Sequence, residues 1–233
     1  MTTAQRTRRW IAGAGMILAP LLLLVSAIVQ PSLKSGELNQ LVVVAGNLDS
    51  WYTSQALALA ALVVAVPAIL GLMHMLRERQ WHVGTVGGAL ALLGIVVSAG
   101  TVALSLVQWE LMRFGVPIPT AAAVIHDLKT TSGMQIPFLI LPFAFALGMA
   151  VLAVGLGISR AANPAVAAAI GLGAIGVPIA YAISSVTLLI VAAAVLLVGL
   201  GTTGLFVLRE TDAEWEHTPE FHGFRPAGPP AGA

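Results

Sequence analysis

A chain of 233 residues in which 58% are hydrophobic and 9% charged cannot cover itself in water, where domains usually carry about 25% charged residues. Its mean hydropathy is +0.94 and its net charge only +1. Lipid is therefore the expected solvent, and no nucleic acid is expected as a partner because no basic stripe exists to neutralise phosphates. The absence of cysteine excludes disulfides, thiolate metal sites, iron–sulfur clusters and cysteine nucleophiles.

Residues 1–9 form a basic N-terminal segment with Arg6, Arg8 and Arg9. A bilayer core of about 30 Å takes roughly 20 apolar residues per helix, and the first window that long is Trp10–Val29. "TRRWIAG" has the look of a twin-arginine export signal, but the apolar run is longer than the 7–15 residues of a signal-peptide core. A retained first span is expected. An outer loop follows with Glu37, Asn39, Gln40, Asn47, Asp49, Trp51 and Tyr52, and its "LVVVAGN" is expected to dip into the interface or pack on the bundle.

The second span is expected over Gln55–Leu76 and the third over Val83–Val107. The third opens "GTVGGALALLG", where Gly84 and Gly88 make a small-xxx-small pair suited to close helix packing. Ser98, Thr101 and Ser105 share one face of it, and their hydroxyls are expected to bond back to the preceding turn. His74, near the inner end of the second span, reads as an interfacial residue. A haem would need a second ligand at matching depth, so no metal and no cofactor are expected.

"WELMRFGVPIPTAAAVIHDLKTTSGMQIP" (Trp109–Pro137) is the most varied stretch outside the tail. Glu110 and Arg113 are three apart, a spacing for a helical ion pair. "PTAAAVIHDLKTT" reads as a short helix, with Ala123, Val124, Ile125 and Leu128 towards the membrane and His126, Asp127 and Lys129 towards water. Capping of the bundle is the expected role. The alternative is a shallow outward pocket in which His126 pairs with Glu110 or Asp49 as an acid–base site. Trp51, Tyr52, Trp109 and Gln135 would be its ligand-facing side chains.

The fourth span is expected over Met134–Ile158, the fifth over residues 165–183 and the sixth over residues 186–208, with Pro178, Tyr181, Ser184 and Ser185 at the hairpin. Pro20, Pro67, Pro137, Pro142 and Pro178 fall inside spans, where proline is commoner than in soluble helices. Residues 209–233 form an acidic, then Pro/Gly-rich tail expected to be mobile. Its His217 and His222 are read as solvated rather than metal-bound.

Eight arginines (Arg6, Arg8, Arg9, Arg77, Arg79, Arg160, Arg209 and Arg225) then face one side, against Lys34, Arg113 and Lys129 on the other. The positive-inside rule puts both termini in the cytoplasm. The expected fold is all-α: a polytopic, multi-pass bundle of six transmembrane helices in a bacterial plasma membrane. No Asp, Glu, Lys or Arg lies in the middle of a span, so an ion-coupled pump is not expected. No nucleophile elbow, HExxH or phosphate loop is present.

The order of a basic start, two outer loops and the closing pattern "AFALGMAVLAVGLGISRAANPAVAAAIGLGAIGVPIAYAISS" resembles an uncharacterised family of bacterial six-span integral membrane proteins. The resemblance covers roughly Arg8 to Arg209. That family has no established reaction, so it implies no site residue. The functional expectation is a non-enzymatic protein that packs with a partner or binds membrane lipid or a lipid-like ligand, with a homodimer through Gly/Ala-rich faces as one form of packing. A carrier for a small apolar solute is the alternative, and a membrane enzyme around His126 the second.

Overall fold

The computed structural model describes residues 3–131, 142–211 and Trp215. Regular structure among the described residues is helical: α1 (Thr3–Val29), α2 (Glu37–Gly46), α3 (Leu48–Leu76), α4 (Trp81–Arg113), α5 (Ile118–Thr130), α6 (Pro142–Ile158), α7 (Pro164–Ala182) and α8 (Val186–Arg209). Five of these, α1, α3, α4, α7 and α8, are long and apolar enough to cross a membrane, while α6 is apolar but shorter. Side chains facing outward from them are apolar, with Val96 70% and Leu172 67% exposed. Such a surface is costly in water and matched by acyl chains.

Six helices close a ring. α1 packs on α3, α3 on α4, α4 on α6, α6 on α7, α7 on α8, and α8 returns to α1. Successive members run antiparallel, through short turns at α3–α4, α6–α7 and α7–α8 and through the longer connections that carry α2 and α5, so the ring has two distinct ends. One gathers Arg6, Arg8, Arg9, Arg77, Arg79, Arg160 and Arg209, and there Arg79 Nη1 donates to the Ser159 carbonyl at 3.1 Å, tying the α3–α4 turn to the end of α6. The opposite end carries α2 and α5. At α4, 33 residues long, the chain extends about 50 Å at 1.5 Å per residue. That exceeds the hydrocarbon thickness of a bilayer, and the last turns of α4 pack against this cap.

Local chemistry sets the turns. Asn163 caps α7, its side chain accepting from Ala165 N at 2.8 Å with Pro164 in the first turn, a pairing favoured at helix starts. Ser185 Oγ accepts from Leu188 N at 3.2 Å to open α8. α4 ends through Gly115 in the left-handed region, φ 73°, with Val116 N bonded to Leu111 O at 3.0 Å. This returning bond satisfies a terminal carbonyl. Arg160 and Ser184 adopt the same positive φ after α6 and α7, although each carries a Cβ.

The basic half of the ring is filled. Met16, Leu72, Met75, Leu76, Met149, Leu152, Leu156 and Ile170 are fully buried in one cluster. Trp215 joins it from beyond α8, stacked on His74 with centroids 4.5 Å apart. His74 Nε2 donates to the Trp215 carbonyl at 3.0 Å, and Nδ1 accepts from Arg77 Nη1 at 2.8 Å. The interfacial histidine is thus a packing and hydrogen-bonding residue. His217, His222 and Arg225 lie outside the described residues, as does the start expected for the fourth span, Met134, with Pro137.

Glycine lets the rods approach. A Cβ on Gly148 of α6 would sit 2.2 Å from Ala91 N, and one on Gly94 of α4 2.1 Å from Phe145 N. The Gly84 and Gly88 pair instead faces Leu76 and Met73 of α3. On the α1–α8 contact, a Cβ on Gly204 would meet Gly13 O at 2.6 Å. These small-residue faces are taken up by contacts within a single chain.

The cap has its own small core: Leu41, Val44, Trp51, Met112, Ala121 and Ala122, with Leu48, Trp109, Leu111, Val116 and Ile118 against it. "LVVVAGN" therefore contributes a helix, α2, that packs on the bundle. In α5 the packed face is Ala121, Ala122 and Ile125, while Ala123, Val124 and Leu128 are exposed. Of the four residues expected towards the membrane, Ile125 is instead buried, because α5 packs onto α2 and α4.

Candidate functional site

Inside the cap-side half of the ring, the packed core gives way to a cavity of about 520 Å³, within the range typical of small-molecule sites. Each ring helix supplies wall: Pro20 and Leu23 from α1, Ala58 and Ala65 from α3, Ser98 and Thr101 from α4, Phe145 from α6, Pro178 from α7 and Leu196 from α8. Residues distant in the chain thus share one space, and small side chains on α3 hold it open. Met16, Leu72, Met149, Leu152, Leu156 and Ile170 close the side towards the arginines. A second, wholly apolar groove lies between α6 and α7, lined by Phe143, Ala146, Leu147, Ile175, Pro178 and Ile179. Phe143 and Pro178 border both spaces.

The cavity is amphiphilic along its length. Its deeper wall is Leu23, Leu62, Ala65, Phe145, Leu196 and Leu200, whereas its cap end holds Gln30, Gln55, Gln108, Lys34, Glu37 and Gln40. Gln30 follows the last residue of α1, Gln55 lies two turns into α3, and Gln108 is near the end of α4. Antiparallel packing carries all three to the same level.

An interlocked network orders this end. Ser26 Oγ donates to the Ser54 carbonyl at 2.8 Å, and Ser54 Oγ donates to Gln30 Oε1 at 2.6 Å. Gln55 Nε2 reaches both Gln30 Oε1 and Ser54 Oγ at 3.2 Å. Trp51 Nε1 donates to the Ser105 carbonyl at 3.0 Å, pinning α3 to α4. Ser26, Gln30, Trp51, Ser54 and Gln55 are all buried. The acceptor of Gln30 is thereby filled twice while its Nε2 has no hydrogen-bond partner among the described residues, and the same holds for Gln40 Nε2. Gln108 is 6% exposed, lines the cavity, and its amide bonds to no described residue. Burying an amide without a partner costs about 1–3 kcal/mol, so the two unmatched donors of Gln30 and Gln40 at one end mark a place shaped for acceptor atoms.

The hydroxyl face of α4 resolves in two ways at once. Thr101 Oγ1 donates back to Val97 O at 3.3 Å and Ser105 Oγ to Thr101 O at 3.2 Å. Ser98, Thr101 and Ser105 also line the cavity. Back-bonding satisfies the hydrogens and leaves the oxygens on the wall.

Residues singled out in the sequence distribute differently. Trp51 lines the cavity. Tyr52 and Trp109 stack on each other outside it, centroids 4.8 Å apart and planes tilted 38°, with the Arg113 guanidinium 5.1 Å from the Trp109 ring centre. Gln135 lies outside the described residues. Glu110 is held by Arg113 through bonds of 2.9 and 2.8 Å, the ion pair its spacing announced. Asp49, in the first turn of α3, and His126, on α5, are exposed. No hydrogen bond or ion pair among the described residues joins His126, Glu110 and Asp49. Lys129 of α5 instead bridges to Glu37 of α2 at 3.6 Å.

Gln30, Ser54, Gln55 and Gln108 were missed in the sequence because the search at depth weighed ionised groups. Their signal was present: each polar side chain sits at the same end of its apolar window. No family model, curated protein or solved structure matches this chain.

Proposed function

We propose that this chain is a multi-pass protein of the bacterial plasma membrane that holds a lipid-like amphiphile in its ring cavity, with both termini in the cytoplasm. The observation that carries this reading is the cavity's own polarity, apolar towards the arginine-rich half and amide-lined at the cap. The groove sharing Phe143 and Pro178 with the cavity supports lateral access from the bilayer between α6 and α7. Glycine faces engaged inside one chain favour a monomeric bundle, and a homodimer would use other surfaces.

Filling the cavity tests the reading. Ala65→Phe and Ala58→Phe should each cut co-purified lipid, measured by native mass spectrometry in mild detergent, at least tenfold while the variant stays monodisperse. Equal lipid retention by the native chain and a folded Ala65→Phe variant would remove the cavity as the binding site.

Orientation has a separate check. Ser35 is exposed in the α1–α2 loop and the chain has no cysteine, so Ser35→Cys gives a single reporter. It should react with an impermeant thiol reagent in intact cells. Labelling only after lysis would reverse the orientation.

A carrier for a small apolar solute is the second reading, favoured by Pro20 and Pro178 on the cavity wall. Each lacks the N–H that would bond the preceding turn, which eases bending. Transport would require the Met16, Leu72, Met149 and Leu152 cluster to part. The acid–base reading around His126 gains no support, since no hydrogen bond or ion pair among the described residues joins His126 to Glu110 or Asp49.

A further inference from the structure

We infer that the cap end of the cavity is a headgroup site for the carboxylate of a single-chain amphiphile of the free fatty acid class. This inference rests on the cavity being a ligand site, and it adds the chemistry of the ligand. Three observations converge.

The first is donor surplus. Gln30 Nε2 and Gln40 Nε2 have no acceptor among the described residues, and the Gln30 orientation is fixed because its oxygen already takes Ser54 Oγ and Gln55 Nε2. The Gln108 side chain, nine-tenths buried, lines the same wall. A ligand that brings acceptors completes these groups, and one that brings only donors does not.

The second is charge. Lys34, Glu37 and Lys129 line the same end, two ammonium groups against one carboxylate. Glu37 is paired with Lys129, which leaves Lys34 to balance one negative charge. Arg113, the cap residue best built for phosphate, is turned to Glu110 and does not line the cavity. One ammonium with amide donors matches a carboxylate, since tight phosphate sites draw on forked guanidinium contacts.

The third is shape. From Trp51 to Ala65 the wall follows α3 for about 21 Å at 1.5 Å per residue. A space of about 520 Å³ that runs beside Leu23, Leu62 and Leu196 takes one acyl chain along this wall.

The test uses the full chain, delipidated in mild detergent, and four probes: oleate, methyl oleate, oleylamine and dioleoyl phosphatidylglycerol. Oleate should bind one per chain in native mass spectrometry, at least tenfold tighter than oleylamine by titration calorimetry. Lys34→Ala should weaken oleate and leave methyl oleate unchanged. Gln108→Leu should weaken oleate about tenfold, the scale of one lost charge-assisted hydrogen bond, while melting no lower than the native chain. A merely structural glutamine would lower the melting temperature instead. Lys34 is exposed, so its variant carries the test should Gln30→Leu or Gln108→Leu not fold.

Equal affinity for oleate and oleylamine, or indifference of both the Lys34 and Gln108 variants, would overturn the headgroup assignment while leaving a tail-binding cavity. Displacement of oleate by dioleoyl phosphatidylglycerol at equal concentration would overturn the single-chain assignment. Binding of none of the four probes, together with unchanged lipid retention in Ala65→Phe, would remove the cavity reading itself.

Discussion

Gly148→Val should yield almost no monodisperse protein in detergent, and any that survives should melt far below the native chain. A Cβ at this position would stand 2.2 Å from Ala91 N, 2.7 Å from Ala91 Cα and 2.6 Å from Gly87 O. All three are backbone atoms, so no rotamer change relieves the overlap. α4 and α6 must move apart along their whole seam. Overpacking a core usually costs about 1–3 kcal/mol through side-chain shifts, and displacing one helix from another exceeds that range. Membrane helices lean on such close contacts because lipid offers little hydrophobic drive between them. Gly100→Ala on α4 is the matched control. Nothing lies within 4 Å of its added Cβ, so the usual helical gain of roughly 1 kcal/mol over glycine applies. A Gly148→Val protein with native melting temperature would show that the α4–α6 seam is not where the rods touch.

Trp51→Ala should destabilise the chain by about 3–5 kcal/mol, the usual range for deleting a large buried aromatic. The indole is 3% exposed, belongs to the cap core, lines the cavity and donates to the Ser105 carbonyl. Its loss therefore removes packing from the cap, a tie between α3 and α4, and part of the cavity wall together. Trp51→Phe should cost less, keeping most of the ring and losing the N–H bond, worth roughly 1 kcal/mol. The checks are thermal melting and limited trypsinolysis, in which cleavage at Lys34 and Lys129 should quicken as α2 and α5 loosen. An unchanged digestion pattern in Trp51→Ala would mean that the cap does not depend on this side chain.

Helical character was legible because apolar runs such as Ala165–Leu208 leave a chain in lipid no other regular structure. Where polar residues interrupted a run, the reading stopped short. The second span was expected from Gln55, yet α3 begins at Leu48. Asp49, Ser50 and Thr53, which are exposed, and Ser54, which joins the buried network, lower the hydropathy without breaking the helix. Register between helices was also hidden. "GTVGGALALLG" offers several small-residue spacings, and only the packed ring shows that Gly87 and Gly94 meet α6 while Gly84 and Gly88 meet α3. The cavity escaped notice for the same reason. Gln30 bonds to Ser54, 24 positions away, and Trp51 to Ser105, 54 positions away. No local pattern encodes a space whose walls are contributed one stripe at a time. Within Trp109–Pro137, Trp109 packs against the cap core, Ile125 is buried, and Lys129 reaches the cavity rim.

Because α8 completes the ring by returning to α1, about half of the ring contacts of α1 wait for a helix made after α3, α4, α6 and α7. Until α8 is made, the α1 face around Gly13 and Met16 lacks the partner that Gly204 and Leu208 provide. A chain lacking Val186–Arg209 loses the wall residues Leu196 and Leu200 and no longer encloses the cavity, so truncation there abolishes the compartment before it trims any wall residue of the earlier helices.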